Sequence, residues 1–278
     1  MSGMGEQSSG KERLCARVLY QGEIAGGIMD MRLHVPEVAS VALPGQFVNL
    51  FCRDESRLLP RPISIAGVDA GEETIRLVYR VSGAGTKEFA SRAAGEEIEL
   101  IGPLGNGFPL DEAKGKHLIL IGGGIGIPPL LCVAAAMAER GEETQSTAVL
   151  GYRDAALFLA EEFEPFGGVC IATEDGSAGV RGTVLDALKA MDPGCVAGSK
   201  EDRVIFACGP TPMLRAVKEY AALEGVPCYL SLEERMACGV GACLACVCTT
   251  AEIDAHSHVH NRRVCKDGPV FPAEEIVL

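Results

Sequence analysis

The sequence has no long hydrophobic run, no excess of basic residues and no internal repeat. Its longest apolar stretch, Leu118 to Ile127, is too short and too rich in glycine to cross a bilayer as a helix. The 278 residues include 38 Asp and Glu but only 25 Lys and Arg, which gives a net charge of −13. Such an acidic chain is poorly suited to bind nucleic acid or an anionic membrane surface. The length suggests about two domains, each with its own core.

The first residues do not have the pattern of a secretory signal. Met1 to Glu12 is polar and lacks an apolar segment. We therefore expect residues 1–11 to be a disordered lead, and the protein to be cytoplasmic. In that compartment most of the twelve cysteines would stay reduced rather than pair in disulfides. The cysteines expected to be isolated thiols are Cys15, Cys52, Cys132, Cys170, Cys195, Cys208 and Cys228.

Four other cysteines have the spacing that binds a plant-type [2Fe-2S] cluster. Cys238, Cys243 and Cys246 form C-x4-C-x2-C, and Cys265 follows further along the chain. Glycines between the first two cysteines would let the backbone approach the sulfur atoms closely. Buried, inert cysteines are the alternative interpretation, but they would not require this spacing. The sequence thus predicts a protein that transfers electrons one at a time.

Two neighbouring features could also bind metal. Cys248 is a fifth nearby thiol, and we expect it not to be a ligand. His256, His258 and His260 alternate in a short polar tract, and histidines at such spacing can bind metal ions. Because a full set of four cysteines is already present, we interpret the histidine tract as a solvated hairpin.

The pattern of apolar residues predicts a mixed fold with three parts. In residues 12–112, short runs alternate apolar and polar positions between glycines and prolines, which is typical of an antiparallel β-barrel. In residues 113–231, strands alternate with helices, which predicts an α/β domain with a parallel sheet. Residues 232–278 form a small cysteine-containing module. The apolar runs of the barrel are Ala16–Tyr20, Met31–Val35, Gln46–Phe51, Thr74–Val81 and Glu97–Ile101.

The second part should contain four strands and three helices. The predicted strands are His117–Ile121, Thr147–Tyr152, Val169–Thr173 and Arg203–Ala207. The predicted helices are Pro128–Arg140, Val184–Met191 and Thr211–Leu223.

The barrel contains two motifs suited to a flavin nucleotide. In Arg61-Pro62-Ile63-Ser64, the guanidinium can bind a pyrophosphate with two hydrogen bonds, and the proline fixes the backbone. The alternative for Arg61 is a surface arginine in a turn. Downstream, Tyr79-Arg80-Val81 precedes Gly83-Ala84-Gly85-Thr86, which should begin a helix near Thr86 to Ser91 that could bind phosphate. The alternative for Tyr79 is simple packing within a strand.

The α/β part contains two turns suited to a second nucleotide. Gly122, Gly123, Gly124 and Gly126 follow a buried strand and precede a helix that begins with prolines, so the backbone could approach a pyrophosphate. Isoleucine occupies the last glycine position of the G-x-G-x-x-G pattern, which is therefore absent. Cys208-Gly209-Pro210 also joins a strand end to a helix start. Since the carboxyl ends of parallel strands line the ligand crevice, we expect Cys208 and Gly209 to face a nicotinamide, unless Cys208 is a structural thiol.

Together with the run Gly102 to Phe108, these motifs resemble the ferredoxin-NADP reductase superfamily over about residues 12–230. With the added cysteine module, the chain resembles the electron-transfer subunits of NAD-dependent dihydroorotate dehydrogenases, and this resemblance covers nearly its whole length. This resemblance implies a flavin-binding barrel, an NAD-binding α/β domain and a cluster module. It also implies a partner, a catalytic subunit that carries FMN and converts dihydroorotate to orotate, in a heterotetramer.

The resemblance further implies which residues bind each cofactor. It assigns the [2Fe-2S] cluster to the four spaced cysteines and NAD+ to the two glycine-containing turns. It assigns FAD to Arg61, Pro62, Ile63, Ser64, Val78, Tyr79, Arg80, Gly85 and Thr86.

Other functions remain open at this point. Related architecture occurs in subunits of ferredoxin-dependent NADP reductases and sulfide dehydrogenases, although their first cluster ligand often differs from the cysteine found at 238. An oxygenase reductase would need a full ferredoxin domain, and a redox sensor would not need two nucleotide sites. The choice between NAD and NADP is also open, because Arg153 could bind a 2′-phosphate and Asp154 a ribose hydroxyl.

Overall fold

The computed structural model describes residues 12–141, 145–191, 202–253 and 258–278. Within these residues six antiparallel strands close into a barrel in the order β1-β2-β5-β4-β3-β6. The predicted lead, residues 1–11, lies outside the described part. The barrel strands are β1 (Leu14–Ala25), β2 (Ile28–His34), β3 (Phe47–Leu50), β4 (Arg61–Asp69), β5 (Thr74–Arg80) and β6 (Glu97–Leu104). Two short helices, α1 (Pro36–Ala39) and α2 (Ala84–Ala90), connect them.

Strand β5 shows why the barrel closes around its own core. Ile75, Leu77 and Tyr79 are buried inside the barrel, as the two-residue period of a strand requires. Val78 points outward, yet it is also buried because the α/β domain packs against this side of the barrel. The outer face of β4 and β5 is therefore an interface between domains.

The α/β domain is built on a seven-stranded sheet in the order β10-β9-β8-β7-β11-β12-β15. All neighbouring strands are parallel except the pair β12 and β15. The strands are β7 (His117–Gly123), β8 (Ser146–Tyr152), β9 (Gly168–Thr173), β10 (Val180–Arg181), β11 (Arg203–Cys208), β12 (Cys228–Ser231) and β15 (Val270–Pro272). The helices are α3 (Ile127–Glu139), α4 (Val184–Ala190) and α5 (Thr211–Glu224).

The sheet is buried on both faces, as continuous apolar strands predict for a parallel sheet. On one face Leu118 and Leu120 pack with α3 and with barrel residues that include Val78. On the other face Ile119 and Ile121 share a core with α4, α5 and the C-terminal residues.

The C-terminal module joins the α/β domain instead of standing apart from it. Its strand β15 pairs with β12, and Phe271 of β15 is 1% exposed within the shared core. A hairpin of β13 (Val247–Thr249) and β14 (Asn261–Arg263) and the short helix α6 (Val264–Asp267) complete the module.

The predicted fold class, a β-barrel, an α/β domain and a small C-terminal module, is confirmed. The predicted strands and helices are present, and in the α/β domain their ends shift by at most two residues. In the barrel the differences are larger: β1 extends five residues beyond the predicted run, β2 begins three residues earlier and β6 ends three residues later. Strand β4 is not among the predicted apolar runs of the barrel. Strands β10, β12 and β15 lack a clear pattern in the sequence because they are short and take their place from their neighbours. Helix α2 begins at Ala84, two residues before the expected position.

Candidate functional site

The four spaced cysteines lie together in a loop whose amides point at sulfur. The backbone N–H groups of Val240, Ala242 and Cys243 donate to Cys238 Sγ at 3.4, 3.3 and 3.4 Å. The N–H of Gly241 donates to Cys265 Sγ at 3.2 Å. Amide donors of this kind stabilise thiolates, which are the form that binds iron.

The thiols form two pairs. Cys238 hydrogen-bonds with Cys243, and Cys265 with Cys246, whose Sγ also accepts the Cys265 N–H at 3.4 Å. Among the described residues no three Cys, His, Asp or Glu side chains are arranged to hold a single metal ion. Two adjacent thiol pairs are instead the donor set that a two-iron cluster needs, with two cysteines for each iron.

The two pairs differ in burial and in acidity. Cys243 is exposed and Cys238 half-buried, whereas Cys246 and Cys265 are buried. Burial opposes ionisation of Cys238, but the amide donors outweigh it and lower the pKa of this thiol to about 6. Burial and the neighbouring Cys246 raise the pKa of Cys265 to about 12 in the metal-free chain. Cys238 is therefore prepared as a thiolate, whereas Cys265 would need iron to deprotonate it.

A glycine lets the cysteine loop lie against the barrel. Gly239 has φ +67°, in the left-handed region that favours glycine, and a Cβ there would lie 1.9 Å from Asn49 Nδ2. Asn49 belongs to β3 and donates to the carbonyl oxygen of Cys238 at 3.3 Å. On the module side, Arg263 donates to the Gly241 carbonyl at 3.1 Å.

The remaining metal candidates lie beside the loop. Cys248 Sγ donates to the Arg262 carbonyl at 3.5 Å, and burial raises the pKa of this thiol to about 11. His260 Nδ1 lies 3.2 Å from the carbonyl oxygen of Thr250, in the hairpin that joins β13 to β14. His256 lies outside the described residues.

The barrel motif for FAD lies on β4, at the domain interface. Ile63 is buried in the barrel core, so Pro62 and Ser64 lie on the outer side of the strand. Arg61 lies directly over α2, because a Cβ at Gly85 would come within 2.6 Å of Arg61 Nε. This cradle, formed by Arg61 and Gly85, brings the guanidinium against the backbone of α2.

The two barrel motifs each contain one arginine, Arg61 and Arg80. Arg61 Nη1 donates to the carbonyl oxygens of Leu59 and Pro60. In the part of the chain that the structure describes, neither Arg61 nor Arg80 forms an ion pair with an acidic side chain. Guanidinium groups without an acidic partner suit an anionic pyrophosphate.

Two of the residues assigned to FAD have structural roles. The ring of Tyr79 is 2% exposed, contacts Phe89 edge-on, and its hydroxyl accepts a hydrogen bond from Gln21 at 3.0 Å. The Tyr79 side chain therefore packs in the barrel core, and only its backbone can reach the interface. Thr86 Oγ1 accepts from the N–H groups of Ser82 and Gly83 and so shapes the turn before α2.

The two glycine-containing turns meet at the carboxyl edge of the parallel sheet, as predicted. Cys208 pairs with Gly122 in the register of β11 and β7, and Gly126 packs against the Cys208 carbonyl. Across the interface, Arg80 of the barrel approaches Gly124. Arg80 of the barrel and these turns thus meet where the two domains are in contact.

The Cys208 thiol is buried at this edge. It is 2% exposed, and burial raises its pKa to about 12, so the thiol is neutral. Ser231 and Glu233, which the sequence motifs do not mark, lie next to it. Loss of hydration raises the pKa of the Glu233 carboxyl. Arg153 and Asp154 are both exposed after β8.

A cavity of about 550 Å³ lies at the opposite edge of the sheet, away from all these motifs. Its lining includes His117, Thr147 and Cys170. His117 Nε2 lies 2.8 Å from Thr147 Oγ1, and burial lowers the pKa of this histidine.

Comparisons with known proteins agree with this geometry. The family "iron-sulfur cluster binding domain of dihydroorotate dehydrogenase B" matches residues 233–277, and "oxidoreductase NAD-binding domain" matches residues 120–219. The chain is 43% identical to the dihydroorotate dehydrogenase B (NAD(+)) electron transfer subunit of Bacillus caldolyticus, over 97% of this chain and 99% of that protein. It is also 43% identical to the subunit of the same name from Listeria monocytogenes, over 94% and 98% of the two chains.

Solved structures give the same picture. An NADH-dependent reduced ferredoxin-NADP oxidoreductase matches with a TM-score of 0.81 and 30% identity, over 94% of this chain and 89% of that one. A ferredoxin reductase of carbazole 1,9a-dioxygenase, 19% identical with a TM-score of 0.63, shares the fold over 78% of this chain. Among the described helices, none has the length and apolarity of a transmembrane span.

The sequence identity over almost the entire length, the match of the cluster domain and the paired cysteines lead to one conclusion: the chain belongs to the family of electron transfer subunits of NAD-dependent dihydroorotate dehydrogenase B.

Proposed function

We propose that this chain passes electrons from the FMN of a separate dihydroorotate dehydrogenase subunit, through a [2Fe-2S] cluster and FAD, to NAD+. The observation that carries this proposal is the contact between the cysteine loop and the flavin strand. Asn49, which touches the loop at Cys238, is the neighbour of Pro62 in the pairing of β3 with β4. A cluster on the cysteines and a flavin on β4 would therefore be close neighbours.

Each cofactor has its own set of residues in this proposal. The cluster is held by Cys238, Cys243, Cys246 and Cys265. FAD would be held where the domains meet, by Arg61 and Arg80, which suit its pyrophosphate, and by the outer side of β4, including Pro62 and Ser64. The backbone of Val78 to Arg80 and the turn at Gly85 and Thr86 complete the FAD site. NAD+ binds at Gly122, Gly123, Gly124 and Gly126 and at Cys208, Gly209 and Pro210.

The chain's residues position the cofactors and need not act on dihydroorotate. Oxidation of dihydroorotate to orotate releases two electrons and two protons at the partner's FMN. FAD and the cluster supply the exchange between single electrons and the hydride that NAD+ accepts. The protein binds both nucleotides, excludes water from the inner cysteine pair and orients the nicotinamide edge beside Cys208.

The proposed assembly is a heterotetramer of this subunit with FMN-containing catalytic subunits, located in the cytoplasm and active in pyrimidine biosynthesis. The net charge of −13 disfavours nucleic acid as a further partner. We propose domain limits of 12–112 for the FAD barrel, 113–231 for the NAD domain and 232–278 for the cluster module.

The test compares the chain alone with the complete complex. Loaded with FAD and iron–sulfur cluster, the isolated chain should transfer electrons from NADH to an artificial acceptor, and it should not oxidise dihydroorotate. Addition of the FMN subunit should produce dihydroorotate-dependent NAD+ reduction. In a Cys246→Ser complex this coupled reaction should be lost, whereas NADH oxidation by the artificial acceptor should continue.

Two results would contradict the proposal. One is dihydroorotate oxidation by the isolated chain, and the other is full coupled activity in a complex without the cluster.

The similarity to an NADH-dependent reduced ferredoxin-NADP oxidoreductase supports a second candidate, a subunit that exchanges electrons with ferredoxin. Rapid reduction of the FAD by reduced ferredoxin, without any response to the FMN subunit, would favour that alternative.

A further inference from the structure

Asn49 is a polar residue in an apolar environment. It lies on β3 between Val48 and Leu50, which are both fully buried, and it is itself only 1% exposed. A buried amide costs free energy unless hydrogen bonds compensate for lost water. Packing of the barrel alone therefore does not explain a buried amide at this position.

The contacts of Asn49 point to the cysteine loop. Its Nδ2 donates to the Cys238 carbonyl at 3.3 Å, and the amide lies against the Cα of Gly239, where no side chain could fit. Its Oδ1 is buried and has no hydrogen-bond partner among the described residues. Because a carbonyl accepts only from the NH2 end, this contact fixes which way the amide points.

Asn106 makes a similar contact at the other end of the module. It lies in the loop after β6, and its Nδ2 donates to the carbonyl oxygens of Asp267 and Lys266 at 3.0 and 3.3 Å. Its backbone N–H also donates to the Gly268 carbonyl at 2.6 Å. These carbonyls end helix α6, which carries Cys265, so Asn106 satisfies acceptors that the helix end leaves without partners.

The two asparagines hold different thiol pairs. Asn49 fixes the segment of Cys238, in the outer pair, and Asn106 fixes the helix of Cys265, in the inner pair. Both asparagines belong to the barrel, and Asn49 is paired directly with Pro62 of the flavin motif. The barrel therefore forms hydrogen bonds with both segments that carry the cysteines, one through Asn49 and one through Asn106.

We propose that Asn49 and Asn106 are positioning residues that set the distance and orientation of the cluster relative to the flavin. This inference rests on the proposed function, because it assigns the cluster and FAD to the same electron path. It differs from a purely structural role, since it predicts an effect on the cluster's electronic signature and on electron transfer between the two cofactors.

The experiment uses the complete complex with the FMN subunit and two substitutions, Asn49→Leu and Asn106→Ala. Asn49→Leu keeps the size of the buried side chain but cannot donate to Cys238, and Asn106 is exposed, so its replacement should not disturb folding. Iron and FAD content should remain at the level of the unchanged complex. The electron paramagnetic resonance spectrum of the reduced cluster should shift, and stopped-flow reduction of the cluster by NADH through FAD should slow several-fold.

Gln21→Met is a matched control. Gln21 is another barrel amide with a buried, unpartnered oxygen, but it contacts Tyr79 and not the cysteine loop. This variant should leave the cluster spectrum and the transfer rate unchanged.

Several outcomes would overturn the inference. An unaltered spectrum and rate in both variants would exclude a positioning role. Loss of FAD together with the cluster would show that the substitutions damage the barrel as a whole. If Asn49→Leu does not fold, Asn106→Ala alone decides. Failure of the proposed function is a separate result, because the unchanged complex would then not reduce NAD+ with dihydroorotate whatever the spectra of the variants.

Discussion

At the scale of single residues, the cysteines differ in what surrounds them and so in what they can do. Cys238 Sγ accepts hydrogen bonds from the N–H groups of Ala242 and Cys243, and Cys243 Sγ accepts one from the N–H of Cys238. Amide donors of this kind stabilise a thiolate. Cys248 lies only a few residues away, yet its thiol donates to a carbonyl and burial raises its pKa. We therefore expect Cys248 not to be a ligand, although it lies close to the other cysteines in the sequence.

This difference gives a prediction for the cluster. Protein purified anaerobically should contain about two iron and two sulfide per chain, as four cysteines at this spacing imply. Cys243→Ser should lose most of this iron, and Cys248→Ser should retain it, as measured by iron analysis and visible absorption. Loss of iron in Cys248→Ser, with iron retained in Cys265→Ser, would show that the ligands are assigned wrongly.

At the scale of structural elements, the proposed FAD site depends on how β4 meets α2. Strand β4 supplies Arg61, and the helix supplies Gly85, where any side chain would collide with the guanidinium. Neither element places the guanidinium alone, since the close approach requires a residue without a side chain at position 85.

The second prediction tests this cradle. Arg61→Ala should weaken FAD binding by about 1.5–3 kcal/mol, the range for a hydrogen bond to a charged group. The measurement is FAD retention after gel filtration and a fluorescence titration of the flavin-free protein. Arg13→Ala is the control, because Arg13 lies over Phe51 on the barrel surface and pairs with Glu99. Extraction should yield FAD, and either FMN or unchanged affinity in Arg61→Ala would contradict the assignment.

At the scale of the whole molecule, an ion network joins the barrel to the α/β domain. Arg76 of β5 donates to Asp30 of β2 at 2.8 Å and to Glu162 of the neighbouring domain at 3.0 Å. Asp30 is 4% exposed, whereas Glu162 is exposed. The network thus has a buried half within the barrel and a solvent-exposed half across the interface.

The third prediction separates these halves. Arg76→Leu should lower the free energy of unfolding by about 3–5 kcal/mol, because it leaves the buried Asp30 carboxylate without its partner. Glu162→Gln should cost only about 0–1 kcal/mol, since an exposed ion pair is screened by water. Chemical denaturation at neutral pH measures both. Equal losses in the two variants would show that the contact between domains, and not the buried pair, carries the stability.

Much of this architecture could be predicted from local sequence. Two-residue alternation predicted the barrel, and strands alternating with helices predicted the parallel sheet. The cysteine spacing predicted the cluster. Each of these patterns can be recognised from residues that lie near one another in the sequence. The direction of the Tyr79 side chain is a different case. The sequence alone allowed both packing and a flavin contact, and the structure shows the ring in the core.

Other features depended on tertiary structure. Asn49 and Cys238 are 189 residues apart, and Asn106 and Asp267 are 161 residues apart, so no local pattern reports that they touch. A polar residue within the apolar strand at 47–51 is the only trace of the first contact in the sequence. The pairing of the thiols and the pairing of β15 with β12 also depend on contacts between segments that are distant in the sequence. The sequence thus determined which cofactors the chain can bind, and the packing of distant segments decided how those cofactors are placed relative to one another.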